Sequence, residues 1–187
     1  MTTEQTGYLA RAEEELVAYL RQAAEAIAPS AQPIVEGWAY TSRYDLLLRE
    51  GRLFTPAPLP AEAQRLHPGF CFTNAAQLAN DHPELQLTYA EGYGAAQIVG
   101  VTQALHTPHG WAVTSEGLAL DPTWPHEGAS AYLGLPFADP SMWPHSLFGR
   151  SLLQEPPFLH DVLRSGLPDG LLADLGRPVY GYVSPSG

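Results

Sequence analysis

Apolar residues recur every three or four positions near the start of the chain. Leu9, Ala12, Leu16, Tyr19 or Leu20, Ala23 and Ile27 fall on one face of a helix, and residues 8–27 hold neither glycine nor proline. Thr6 is the predicted N-cap and Ala28-Pro29-Ser30 the predicted stop. A second helix is predicted over residues 43–50, ending at Gly51. Pro56, Pro58 and Pro60 mark a connector, and Pro60 opens a predicted helical turn over 61–65. Residues 71–79 read as a third helix that packs through Phe72, Ala75, Ala76, Leu78 and Ala79 and closes at Asn80-Asp81-His82-Pro83.

The period then shortens. Residues 87–93, 97–105, 110–114 and 118–120 read as strands, and Ser115-Glu116-Gly117 joins the last two as a hairpin. After Asp121 the chain turns to Pro, Gly, Trp and His with little periodicity. Helices are predicted there over 146–153 and near 171–175, and an edge strand over 179–183. Helices followed by antiparallel strands predict an α+β fold. A chain of 187 residues without internal repeats fits a single domain, 1–187. Its parts are a helical N-terminal region at 1–60, a motif-rich core at 69–124 and a Pro/Gly-rich extension at 125–187.

Composition narrows the function classes. Twenty acids face nine basic residues, all of them arginine, for a net charge of −11. That balance lacks the basic footprint of a nucleic-acid binder. One cysteine cannot close an internal disulfide or build a thiolate zinc site. The N-terminus lacks a basic segment followed by an apolar core, and no window reaches the roughly 18 apolar residues of a membrane span. A cytoplasmic protein is expected. With no phosphate loop or dinucleotide fingerprint, no cofactor is expected. His106 and His109 lie three apart, on opposite faces of a strand, and Pro108 bars the helix that would unite them. His67, His126 and His145 add no ligand spacing, so no metal is expected.

One constellation carries chemistry: Cys71, His109 and Asp121. Cys71 follows Gly69-Phe70 at a predicted helix start, where unpaired N–H groups and the helix dipole favour a thiolate and can receive an oxyanion. A thiol nucleophile needs an imidazole in reach, and the imidazole needs an orienting partner. His109 begins one predicted strand and Asp121 ends the next, so a tight hairpin makes them neighbours at one end of the sheet. Singly, each is ordinary: a lone cysteine is usually a small buried residue, and Asp-Pro-Thr is a common turn.

The joint pattern resembles the transglutaminase-like superfamily. It is carried by Gly69-Phe70-Cys71-Phe72-Thr73-Asn74-Ala75-Ala76-Gln77-Leu78, Tyr89-Ala90-Glu91-Gly92-Tyr93, His109-Gly110-Trp111-Ala112-Val113 and Asp121-Pro122-Thr123-Trp124. It spans residues 69–124, about a third of the chain. The resemblance implies a papain-like α+β core with Cys71 as nucleophile, His109 as general base and then acid, and Asp121 as orienter. Two departures are a long segment at 94–108 and Gly110 where the family usually has alanine. The resemblance also makes Trp38 a candidate oxyanion donor, since some members place an indole upstream of the cysteine, and adds Trp111 as a candidate beside the histidine. Asn74, one turn after Cys71, is a candidate contact to substrate or to the His109 strand, with an exposed polar position as the alternative. Glu91 shares a strand face with Tyr93 and either lines the site or makes a structural hydrogen bond.

Two functions follow. One is a cysteine-dependent hydrolase or acyltransferase that acts on the amide of a peptide or protein through a thioester. The other is a non-catalytic module that keeps the fold and binds a protein partner through an exposed Trp/Pro-rich tail, residues 124–143. The acidic balance would favour a basic partner.

Overall fold

The computed structural model describes residues 3–31, 35–97, 104–125, 129–145 and 149–182. Helix α1 spans Thr3–Ala31, α2 Arg43–Glu50, α3 Cys71–Asp81 and α4 Pro156–Ser165. The strands are β1 Arg52–Ala57, β2 Thr88–Ala96, β3 Leu105–Val113, β4 Leu118–Leu120, β5 Ala129–Pro136 and β6 Arg177–Pro178. The fold is mixed α+β. Among the described residues, no helix is long and apolar enough to cross a membrane.

The sheet runs in the order β4-β3-β2-β5-β1-β6, and β1 also pairs in parallel with β4 through Thr55, Pro56 and Ala57. That pairing closes five strands into a small barrel, so the sheet is antiparallel except at one seam. Phe54, Ala90, Trp111, Val113, Ala119 and Tyr132, drawn from all five strands, fill its interior. The larger core lies outside, where Leu16 and Leu20 of α1, the leucines of α2, and Ala75, Ala76 and Leu78 of α3 cover Tyr89, Ala112, Leu133 and Leu135. Apolar burial on both sheet faces is the main stabilising term.

The sequence-predicted elements hold where periodicity is clean. Helix α2 has the predicted bounds, with Ser42 Oγ accepting the Asp45 N–H. Gly51 ends it with an extended backbone rather than a left-handed turn. Its need for glycine is steric, since a Cβ there would lie 2.2 Å from the Leu47 carbonyl and 2.8 Å from Leu133 Cδ2. Helix α1 starts earlier than expected, which puts Thr6 inside it, and it continues past Pro29. The 61–65 segment forms a turn at Pro60–Ala63, not a helix.

Elsewhere tertiary context decided. Strand β1 occupies what reads as a proline connector, because Pro56 sits at the barrel seam where its missing N–H is tolerated. Strand β5 was missed for a different reason: residues 131–137 are buried on both faces, so the alternation that marks a strand is absent. Strand β3 replaces two predicted strands, and 98–103 of the first lie outside the described residues. No α-helix forms over the described part of the predicted 146–153 span, where a 3-10 turn starts at Leu152; α4 begins later, with Pro156 and Pro157 in its first turn, and 146–148 are outside the described residues. Near 171–175 there is a bridge from Leu172 to Phe137, not a helix. The expected 179–183 strand is instead β6, with 183 outside the described residues.

Candidate active site

Three elements meet at one end of the barrel. Gly69, at φ +94°, makes the turn that delivers Phe70 and Cys71 to the start of α3. The first backbone bond of α3 joins the Asn74 N–H to the Phe70 carbonyl, and Phe70 gives no side-chain cap. The N–H groups of Cys71 and Phe72 therefore precede the first bond of the helix. Cys71 itself is half-buried and reduced.

Strand β3 supplies His109. Alternation sends His109, Trp111 and Val113 toward the barrel interior and Gly110 and Ala112 toward the helices. At Gly110 a Cβ would lie 3.0 Å from Phe72 Cα and 3.2 Å from the Cys71 carbonyl oxygen. Glycine at this position lets the start of α3 settle on β3 beside His109. Gly110→Ala is accordingly expected to push Cys71 away from His109 and to cost about 1–3 kcal/mol from overpacking. Thermal unfolding and Cys71 alkylation on the same sample check both effects; wild-type values in both would contradict it.

Asp121 follows β4, which the turn at 114–117 folds back on β3, with Ala112 opposite Leu120 and Val113 opposite Ala119. His109 Nε2 donates to Asp121 Oδ2 at 2.7 Å. Tyr132 of β5 donates its hydroxyl to the same oxygen at 2.6 Å. The other oxygen, Oδ1, accepts the Thr123 N–H at 2.7 Å and the Trp124 N–H at 3.0 Å. Burial opposes the carboxylate, but these bonds, that to His109 first, hold its pKa below the ordinary value. Cys71 lies close enough to His109 to act on its titration, and with Nε2 committed to Asp121 the ring nitrogen left for the thiol is Nδ1. Burial also opposes the imidazolium, yet the hydrogen bonds and negative charge of Asp121 and Cys71 outweigh it and push the His109 pKa up to about 9.

Compared with protein-family models, curated proteins and solved structures, the chain matches none. What these residues can do follows from their geometry.

Trp124 stacks on the His109 ring at 3.7 Å between centroids and 16° between planes. Gly94 makes room for it, since a Cβ there would lie 2.7 Å from Trp124 Cζ3. The loop before Cys71 and the first turn of α3 are tied to the loop after Asp121 in three places. Arg65 donates to the Trp124 carbonyl at 2.6 Å, the Leu66 N–H to the Pro122 carbonyl at 2.8 Å, and Asn74 Nδ2 to Thr123 Oγ1 at 2.9 Å.

The remaining candidates take other places. Asn74 is buried rather than an exposed polar residue; beside Thr123, its Nδ2 also donates to the His67 carbonyl at 2.9 Å. Glu91 is fully buried and binds Tyr89, Ser151, Leu152 and Leu153, away from the His109 ring. Trp111 is sealed in the barrel against Phe54 and Tyr132 and offers no surface to a substrate. Trp38, before α2, meets His160 of α4 edge-on at 4.9 Å, in a cluster separate from Cys71. Of the indoles in the 124–143 tail, Trp124 is half-buried over His109, and Trp143 is buried with Nε1 donating to the Phe137 carbonyl. Among the described residues no three His, Cys, Asp or Glu side chains gather to hold a metal; His126 lies outside them.

Sequence reasoning missed Tyr132 because it missed β5. Trp124 was legible as part of the Asp-Pro-Thr-Trp run and as the head of the 124–143 tail, but not as a cover for His109. The signal for its role was the glycine at 94, an opening on the strand beside His109.

Proposed function

We propose that the protein is a cysteine-dependent hydrolase or acyltransferase that acts on an amide bond through a thioester. The observation that carries this is the buried His109–Asp121 hydrogen bond at 2.7 Å, with half-buried Cys71 at the start of α3 close enough to act on the imidazole. The elevated His109 pKa supports an imidazolium beside the sulfur at neutral pH. The Cys71 sulfur attacks the amide carbonyl, and the oxyanion faces the N–H groups at the start of α3. His109 Nδ1 gives its proton to the leaving nitrogen as the C–N bond breaks, leaving an acyl thioester on Cys71. Water or a second amine then loses a proton to His109, attacks the thioester and frees the thiol. The substrate class is the amide of a peptide or protein. This reading is that of a papain-like, transglutaminase-like enzyme.

The test is to trap the intermediate. Incubation with 4-nitrophenyl acetate is expected to leave an acetyl group on Cys71, seen by intact mass and peptide mapping, and released by hydroxylamine. Cys71→Ala should abolish the adduct and leave the circular dichroism spectrum unchanged. A wild-type thiol that takes iodoacetamide but never the acetyl group would overturn the reading.

A further inference from the structure

The active site is assembled from pieces far apart in sequence, and covalent connection alone does not hold them together. Cys71 is carried by the 65–71 loop and the start of α3, while Asp121 is carried by the turn after β4. His109, between them, can bridge both only if the two loops keep their spacing. Asn74 is the side chain that reaches both. It sits one turn into α3, so its own backbone moves with Cys71, and its N–H closes the first turn of that helix on Phe70. Its side chain is buried at 5% exposure, and the single nitrogen Nδ2 donates to the His67 carbonyl and to Thr123 Oγ1, both at 2.9 Å. His67 belongs to the nucleophile loop and Thr123 to the Asp121 turn. The amide orientation is set by the chemistry, because the His67 carbonyl can only accept.

We infer that Asn74 is a positioning residue, locking the Cys71 loop to the Asp121 turn so that His109 Nδ1 faces the thiol. This inference rests on the cysteine-enzyme reading of the same site. Two N–H groups on one short, planar side chain are needed to meet two acceptors on different loops. Aspartate has the same shape but no donor, and it would set a carboxylate against the His67 carbonyl. Serine and alanine are too short or too apolar to span the gap. The neighbouring ties from Arg65 and from the Leu66 N–H keep the loops near each other, but both lie N-terminal to Gly69 and leave Cys71 free to turn about it. Asn74 lies on the far side of that turn. The lock therefore governs reactivity more than folding.

The test measures the rate of Cys71 alkylation by iodoacetamide against pH, with thermal unfolding on the same samples. The wild type should react rapidly at roughly pH 6 to 7, where an ordinary thiol of pKa about 8.5 is mostly protonated. Asn74→Asp should lower that rate by at least about tenfold, the scale expected of a misplacement near 1 Å. Thr123→Val, which keeps the His67 bond and the shape of the site, should give a smaller loss of the same kind. Near pH 10, above the His109 pKa of about 9, the imidazolium is gone and its placement no longer matters, so both variants should match the wild type. Cooperative unfolding in either variant together with a wild-type profile would overturn the inference. So would a loss of equal size at every pH, which would mean altered access rather than altered pairing. If Asn74→Asp fails to fold, Thr123→Val decides alone by the same criteria. A wild type that shows no fast reaction at neutral pH defeats the enzyme reading and this inference with it, whereas a fast wild type with unaffected variants defeats this inference alone.

Discussion

Asp121→Asn is expected to remove acyl transfer by about 10³- to 10⁴-fold while leaving the chain folded. The size follows from where the amide must point. Asp121 Oδ1 accepts two backbone N–H groups, from Thr123 and Trp124, so the amide oxygen of asparagine is held there. Its NH2 then faces His109 Nε2, which must become an acceptor, and the imidazole hydrogen moves to Nδ1. Nδ1 can no longer take a proton from Cys71. The acetyl-enzyme assay checks the loss; a variant within tenfold of wild type would show that Asp121 does not set the tautomer.

The same variant should change how stability depends on pH. The His109 pKa is raised in the folded protein, so its contribution is fully present below about pH 6.5, the unfolded value, and fades as pH rises through about 9. At about 1.4 kcal/mol per unit, the wild type should lose about 3 kcal/mol across that window. Asp121 has a lowered folded pKa, so its share is present above the ordinary aspartate value and is lost as pH falls through the lower folded one. Asp121→Asn should flatten both limbs. Denaturant unfolding at a series of pH values measures this, and a persistent alkaline slope in the variant would assign it to another group.

How much of this was legible in the sequence depends on whether each residue's role is local. Cys71, His109 and Asp121 could be placed because helix periodicity, a tight hairpin and motif order act over short distances. The hairpin argument needed only the turn at 114–117, and it survived the finding that His109 lies within a longer strand rather than at its start. The barrel seam between β1 and β4 was not legible, since its partners are more than sixty residues apart and Pro56 disguises one of them. Ser151 escaped for the same reason, since its acceptor Glu91 lies on a distant strand, whereas Tyr132 escaped because β5 lacks the alternation that marks a strand. Asn74 and Glu91 were singled out, but their partners were not. A buried polar side chain is defined by what satisfies it, and that is a property of the assembled fold. The glycines at 94 and 110 show the converse. They were visible from the start, but only packing explains why a side chain is forbidden there.

Replacement of Glu91 should produce the largest loss of stability outside Cys71, His109 and Asp121. Glu91 is wholly buried, and among the described residues no cation acts on it. Oε1 accepts the Ser151 hydroxyl at 2.8 Å and the Leu153 N–H at 2.6 Å; Oε2 accepts the Leu152 N–H at 3.0 Å and the Tyr89 hydroxyl. The hydroxyls can turn to new partners, but the two backbone donors cannot. Each oxygen holds one of them, so neither orientation of a glutamine amide serves both, and Glu91→Gln should cost about 1–3 kcal/mol. Glu91→Ala strands both donors and opens a void, for about 4 kcal/mol and a fall of about 10 °C in melting temperature. Burial pushes the Glu91 pKa up against the hydrogen bonds that favour its charge. A raised folded pKa means that its contribution is greatest in acid and declines as pH rises through that value. The penalty of either substitution should therefore shrink from acid toward neutral pH. Calorimetry across that range checks the trend; a penalty that grows with pH would mean that the four donors outweigh burial and that Glu91 is held as a carboxylate.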